Sequence, residues 1–203
     1  GTMLGFGKRK AQEPATARTA GVQSSRAETP AGVGNLKTVI VRRSALERAT
    51  DPKSAYDLVR DVINFLNAMT QNGLYTRWEI PAKAMQAYHA DYYLAQVNNG
   101  GHSQFIGNSA GNLGYIIADV RAGLTGMKAE AHLAIFEQMA AWVTQNADEA
   151  AKQTGFQGGR APFLEPLDKR FYEADRAVPM IGQSARWIAS WPELKAVDDA
   201  DYA

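Results

Sequence analysis

The stretch that decides the fold is residues 97–108, which read Val-Asn-Asn-Gly-Gly-His-Ser-Gln-Phe-Ile-Gly-Asn. A helical pattern rich in aromatic residues leads into Gly100 and Gly101, and two apolar anchors, Phe105 and Ile106, follow them. Adjacent glycines reach backbone angles that other residues avoid, so the chain can turn sharply there. We therefore predict a corner at Gly100 and Gly101 that joins two helices.

Apolar residues recur at helical spacing on both sides of this corner. Between residues 51 and 71 they fall at three- and four-residue steps, which marks a stripe that faces a core. Pro81 marks the start of the helix that leads into the corner, because proline is favoured in a first turn. Helices are predicted over 51–71, 81–97, 102–107, 112–122, 127–153, 164–172 and 178–190. Since strands and helices do not alternate, we predict an all-α fold, a compact bundle of about six or seven helices.

The N-terminal part of the chain differs in composition from the rest. Residues 1–35 are rich in Ala, Gly, Thr, Ser, Pro and Arg, and they carry too little apolar surface to offset the entropy of ordering. They are predicted to be a disordered basic tail, followed by a helical domain over residues 36–203. Residues 37–42 fit a short strand or an extended arm, and the arm is favoured because no partner strand is evident. Ser44 and Glu47 fit a capping box, which predicts a short helix.

Charge is distributed unevenly along the 203 residues. The chain has a net charge of +1, but residues 1–45 carry a net +6 and the remainder carries a net −5. A basic tail can bind nucleic acid weakly, and such binding would fall steeply with salt. The alternative is a solvated leader, which is favoured because no aromatic residues are interleaved with the charges.

Composition excludes several classes of chemistry. The chain has no cysteine, which excludes disulfides, a thiol nucleophile and cysteine-bound zinc. No run of about 18 apolar residues occurs, so neither a membrane span nor a membrane partner is expected. Lys8-Arg9-Lys10 is not followed by an apolar segment, so a secretory signal is not expected. We expect a cytoplasmic protein.

The histidines do not form a recognisable metal or catalytic pattern. His89, His102 and His132 are the only ones, and none has the His-x-x-x-His or Glu-x-x-His spacing of a helical metal site. His102 and Ser103 are adjacent, but no Gly-x-Ser-x-Gly elbow surrounds the serine. The glycines of residues 155–160 match no phosphate-binding loop, so a surface loop is expected. We predict no catalytic residue, no metal and no cofactor.

Polar residues beside the corner are the best candidates for binding. Gln104 and Asn108 lie one helical turn apart, where they either line a groove that holds an amide or carboxylate, or satisfy backbone groups left open where two helices meet. The structural alternative is favoured. Helical spacing places Tyr88 and Tyr92 in the core, whereas Tyr93 lies off their face and is predicted to be an exposed contact.

Four segments carry a family resemblance. They are the aromatic helix leading into Asn99-Gly100-Gly101, with Gln104-Phe105 and Asn108 after it; the small-residue helix of residues 118–126; Leu167-Asp168 with Phe171-Tyr172; and Ala185-Arg186-Trp187-Ile188. Over about residues 55–195 the chain resembles the bacterial DNA-mimic-protein family. The resemblance implies an all-helical bundle that can dimerise. Most members of that family have no known function, and its namesake, a strongly acidic member, occupies the DNA-binding surface of a transcription regulator.

We interpret the chain as a non-enzymatic protein-interaction module that binds a regulatory protein, or itself, near the corner. Mimicry of DNA needs carboxylates spaced as densely as phosphates, but here they are dispersed apart from those at 198, 199 and 201. The alternative is a small-molecule-binding domain or enzyme with a polar pocket at the corner, which requires a concave cavity there. The predicted binding residues are Asn99, Gly100, Gly101, His102, Gln104, Asn108 and Tyr93.

Overall fold

The computed structural model describes residues 35–202, so the predicted tail lies outside the described residues apart from Asn35. Within this range, the all-α prediction is confirmed, with eight helices and two short strands. The strands are β1 Val39–Arg42 and β2 Leu194–Val197. The helices are α1 Arg43–Glu47, α2 Ala55–Asn67, α3 Ala82–Asn108, α4 Leu113–Gly126, α5 Glu130–Gln145, α6 Ala147–Ala151, α7 Leu164–Ala177 and α8 Met180–Ala189. None of the helices within residues 35–202 combines the length and hydropathy that crossing a bilayer requires.

Two of the differences between the predicted and observed helix boundaries have a physical explanation in the structure. The α4 helix was expected to end at Ala122, but it continues through Gly123 to Gly126. Gly123 lies against the backbone of Gln86 in α3, where a Cβ atom would collide with the carbonyl oxygen, so this glycine permits close packing and does not break the helix. The predicted helix over 127–153 is divided into α5 and α6 at Asn146, whose φ of −132° and ψ of 51° are not helical.

The N-terminal segment is a strand, and the extended-arm interpretation is wrong. β1 pairs in parallel with β2, with Val39 opposite Leu194 and Arg42 opposite Val197. The prediction failed because residues 194–197, which follow the last predicted helix, were not recognised as a partner. Val39 and Val41 are fully buried, so one face of this small sheet belongs to the core.

The capping box predicted at Ser44 is absent. The residue before α1 is Arg42, which makes no side-chain cap, and Ser44 lies inside the helix. Its hydroxyl instead donates to Asp199 Oδ1 at 2.7 Å. The α1 helix is therefore tied to the C-terminal segment of the domain.

Two buried clusters meet along α3. One contains the sheet, α2, the first half of α3 and α8, and Leu58, Val62, Met85 and Ile188 are among its members. The other contains the second half of α3 with α4, α5 and α7. The predicted corner lies inside the second cluster, between residues that pack against α5 and α7.

Candidate functional site at the glycine corner

The corner forms where the sequence predicts it. Gly100 has φ −155° and ψ 23°, and Gly101 has φ 72° and ψ −177°, so α3 bends into two helical halves. The positive φ of Gly101 is one that residues with a Cβ atom rarely adopt. A Cβ atom at this position would also collide with the carboxylate of Asp168 in α7. The backbone therefore requires glycine here for two independent reasons.

On the inner side of the corner, three side chains form a buried hydrogen-bonded chain. His102 Nε2 lies 2.7 Å from the hydroxyl of Tyr93, and His102 Nδ1 lies 2.5 Å from Asp168 Oδ1. The backbone N–H of His102 donates to the same carboxylate oxygen at 2.8 Å. Tyr93 and His102 are fully buried. We call Tyr93, His102 and Asp168 the inner triad.

The order of donors in the inner triad follows from burial. Burial raises the pKa of Tyr93 well above its ordinary value, and the nearby Asp168 raises it further. The phenol therefore keeps its proton and donates to Nε2, which leaves the Nδ1 proton of the imidazole for Asp168. This order satisfies all three groups, so the triad joins both halves of α3 to α7.

Burial of Tyr93 corrects one prediction. Tyr93 was expected to be an exposed contact, yet its ring packs against those of Phe105, Phe136 and Phe171 at centroid distances of 5.0 to 5.3 Å. The expectation failed because the helix packs on more than one side, so a residue off the main apolar stripe still faces neighbours. An exposed aromatic pair lies elsewhere, where Trp78 contacts Tyr115 at 6.3 Å.

On the outer side of the corner, four amide side chains bond to one another. Asn99 donates to Gln104 Oε1 at 3.0 Å, and Gln104 donates to Gln96 Oε1 at 2.9 Å. Asn108 donates to the same Gln96 oxygen at 2.7 Å. The structural interpretation of Gln104 and Asn108 expected backbone partners, whereas these bonds run to side chains. We call Gln96, Asn99, Gln104 and Asn108 the amide cluster.

Ser103 bonds the loop of residues 155–160, which we call the glycine loop, to the corner. Its hydroxyl oxygen lies 2.8 Å from Gln153 Oε1 and 2.7 Å from the carbonyl oxygen of Gly159. It also accepts a hydrogen bond from the backbone N–H of Gly155 at 3.0 Å. The Ser103 side chain thus bonds this loop, while the His102 side chain bonds Tyr93 and Asp168, so the two adjacent side chains have separate partners.

The other two histidines have carboxylate partners of their own. His89 Nδ1 lies 2.7 Å from Asp119, which also binds Arg77 at 2.7 Å. His132 Nε2 lies 3.0 Å from Asp175. Burial alone would raise the pKa of Asp175, but hydrogen bonds from His132 and the backbone N–H of Met180 hold it below the ordinary value. Within residues 35–202, no three His, Cys, Asp or Glu side chains converge as metal ligands do.

The predicted site residues therefore separate into two groups. Gly100, Gly101, His102 and Tyr93 are buried on the inner side, whereas Asn99 and Asn108 are exposed and Gln104 is half-buried on the outer side. Sequence reasoning missed Asp168, Gln96 and Gln153 as partners of these residues. Leu167-Asp168 was noted only as a segment of family resemblance, and no sequence spacing connects it with His102, 66 residues away.

Comparison with known proteins identifies the family. The model of the family described as DMP19-like protein matches residues 79–191, which include the corner, the inner triad and the amide cluster. Neither the curated proteins nor the solved structures provide a significant match. The matched region covers more than half of the chain and agrees with the DNA-mimic resemblance of its motifs, so the chain belongs to the DMP19-like protein family.

Proposed function

We propose that this protein is a non-enzymatic interaction module that binds a protein partner through the outer side of the corner. The observation that carries the proposal is the exposure of two aromatic rings in segments that contact the corner, since Phe156 follows Gly155, which packs on Gln104, and Tyr172 bonds Val97. Phe156 is 53% exposed and Tyr172 is 36% exposed. Aromatic residues are enriched in the centres of protein interfaces, and amides supply adaptable hydrogen bonds around them. We call Phe156, Tyr172 and the exposed amides of Asn99 and Asn108 the outer face.

Contacts with the rigid interior hold the outer face in place. Gly155, next to Phe156, packs so closely on Gln104 that a Cβ atom would collide with its side chain. The hydroxyl of Tyr172 donates to the carbonyl oxygen of Val97 at 2.8 Å. A surface that is already ordered loses less conformational entropy when a partner binds. This preorganisation supports a role in recognition.

Hydrogen bonding within the amide cluster favours this proposal over a small-molecule site. A polar pocket needs amide groups that point into a cavity and remain available to a ligand. Here Gln96 Oε1 already accepts from both Gln104 and Asn108, and Gln104 Oε1 accepts from Asn99. These amide groups are already paired with one another, which supports contact with a broad protein surface more than a polar pocket.

The acidic C-terminal residues form bonds within the chain, which favours a partner-binding surface other than a DNA-like array of carboxylates. Asp198 Oδ1 forms a 3.0 Å ion pair with Arg43, and Asp199 accepts a hydrogen bond from Ser44. Carboxylates that are bonded within the chain present a weaker phosphate-like array. We therefore favour the aromatic and amide outer face as the partner-binding surface.

The test compares one variant on the outer face with one matched exposed apolar residue. We expect Phe156→Ser to reduce recovery of a partner from the native host, measured by quantitative affinity capture of the full chain. Leu74→Asn is the control, because Leu74 is 78% exposed and lies before α3. The control position is separated from the corner by the first part of α3, because Gly100 is 18 residues beyond the start of that helix, about 27 Å along its axis.

The proposal requires that wild type and Leu74→Asn recover the partner equally and that Phe156→Ser does not. Self-association is tested in parallel by sedimentation over a range of concentrations, with the same pair of variants. Equal recovery and equal association for all three proteins would contradict the proposal. Turnover of a small molecule that is lost in Gln104→Ala would favour the enzyme alternative.

A further inference from the structure

A small cavity lies away from the corner, between α2, α3 and α8. Its lining is mainly apolar, and only two polar side chains contribute to it. The space open to the centre of a water molecule is about 10 Å³, which is close to the minimum for one buried water. The lining residues are Val59, Asp91, Leu94, Met180, Ile181 and Ser184.

Ser184 on α8 is the first polar group of this cavity. The residue is 5% exposed, and its buried hydroxyl oxygen has no hydrogen-bond partner among residues 35–202. A buried hydroxyl without a partner is costly, and native proteins usually satisfy such groups with protein atoms or ordered water. The hydroxyl therefore indicates a small hydrogen-bonding occupant.

Asp91 on α3 is the second polar group and the only ionisable one in the lining. Burial raises the pKa of Asp91 to about 6, and a hydrogen bond from Tyr56 on α2 lowers it in part. Arg60 on α2 stacks over the ring of Tyr56, with its guanidinium 5.3 Å from the ring centroid. Burial raises the pKa of Tyr88 on α3, and the nearby Asp91 carboxylate raises it further. The α8 side chains that line the cavity do not ionise.

We propose that this cavity binds one water molecule that bridges the Asp91 carboxyl group and the Ser184 hydroxyl, so that attachment of α8 to α3 depends on protonation of Asp91. A protonated carboxyl donates to the water, which in turn donates to Ser184, and every group is neutral. Ionisation places a negative charge among Val59, Leu94 and Ile181, where burial opposes it. The packing of α8 on α3 is therefore more stable in mild acid than at neutral pH.

The direction of the pH effect follows from the raised pKa of Asp91. A carboxyl whose folded-state pKa is raised stabilises the fold below its unfolded pKa, and this contribution is lost as pH rises through about 6. We expect Asp91→Asn, which mimics the protonated form, to match wild type in Tm at pH 4 and to exceed it by about 3–6 °C at pH 7.5. Asp57→Asn is the control, because Asp57 lies on α2, pairs with Arg48 and does not line the cavity.

Three further measurements keep the proposal testable if a variant fails to fold. NMR titration of the wild-type carboxyl carbons should show Asp91 titrating near pH 6. The protection factors of the α8 amides, which are corrected for the intrinsic pH dependence of exchange, should fall over the same interval. A crystal structure at pH 5 should show one water within hydrogen-bond distance of both Asp91 and Ser184. A dry cavity, an Asp91 that titrates near pH 4, or α8 exchange that ignores the titration would each overturn the proposal.

Discussion

The inner and outer sides of the glycine corner both draw residues from the stretch 97–108, yet they differ in how their polar groups are held. On the inner side, His102 is fully buried and bonds Asp168, 66 residues away. On the outer side, Asn108 is exposed and bonds Gln96, 12 residues away. The inner side therefore connects distant helices, whereas the outer side connects neighbouring turns of one bent helix.

This difference predicts unequal costs of mutation. A buried group that loses its partner cannot turn to water, so the full desolvation penalty appears in the free energy of unfolding. An exposed amide that loses its partner is hydrated instead. We infer that the inner side determines the stability of the corner, so that residues on the outer side can vary with less effect on stability.

The largest effect should come from Gly101→Ala. A Cβ atom would meet the Asp168 carboxylate and the residue would keep a φ of 72°, so we expect a loss of about 3–5 kcal/mol, combining left-handed strain with a broken buried pair. Urea unfolding monitored by circular dichroism measures this loss. Gly158→Ala is the matched control, because Gly158 has φ 84° and open space around its Cβ position. Equal losses for the two variants would show that steric contact with Asp168 is irrelevant.

The second effect tests the inner triad directly. His102→Phe preserves a ring of similar size but removes both ring nitrogens, so Tyr93 and Asp168 lose a buried partner. We expect the free energy of unfolding to fall by about 2–4 kcal/mol, measured by urea unfolding at pH 7. Tyr93→Phe removes only the hydroxyl and should cost less. The ranking would be refuted if Tyr93→Phe were the more damaging of the two.

The corner was predictable from sequence because its signal is local. Two adjacent glycines after an aromatic helix report a turn regardless of what packs around it. The partners of the corner were not predictable, because Asp168 and Gln153 approach it only through the tertiary packing of α7 and the glycine loop. Periodicity describes one helix face at a time, so it also failed for Tyr93, which packs among rings from α5 and α7.

The strand at residues 39–42 also depended on a partner that is distant in the sequence. Alternating burial of Val39 and Val41 is a strand signal, but a strand needs a partner before it can be distinguished from an extended arm. That partner, β2, lies over 150 residues later in the chain. The outer face could not be predicted from periodicity or spacing either, because its exposed side chains come from separate segments of the chain.

The third-largest effect should come from Asp175, the carboxylate partner of His132. The pKa of Asp175 lies below its ordinary value of 3.8, so ionised Asp175 stabilises the fold above that pH and loses this effect as pH falls through the lower folded-state pKa. We expect Asp175→Asn to lower stability by about 1–2 kcal/mol at pH 7, a value reduced for partial solvent exposure. The deficit should shrink towards zero near pH 2, measured by thermal unfolding across the pH range. If the loss of stability in Asp175→Asn did not change with pH, it would reflect altered packing and not the lost charge.

The smallest effect belongs to the outer side. Gln104→Ala removes one donor to Gln96, whose oxygen still accepts from Asn108 at 2.7 Å, so we expect a loss of only about 0.5–1.5 kcal/mol in urea unfolding. Asn99→Ala, at an exposed position, should cost still less. If Gln104→Ala instead destabilised the fold as much as His102→Phe, the amide cluster would be a structural element equal to the inner triad. The outer face would then have less freedom to serve a partner, because substitutions that tune recognition would also unfold the corner.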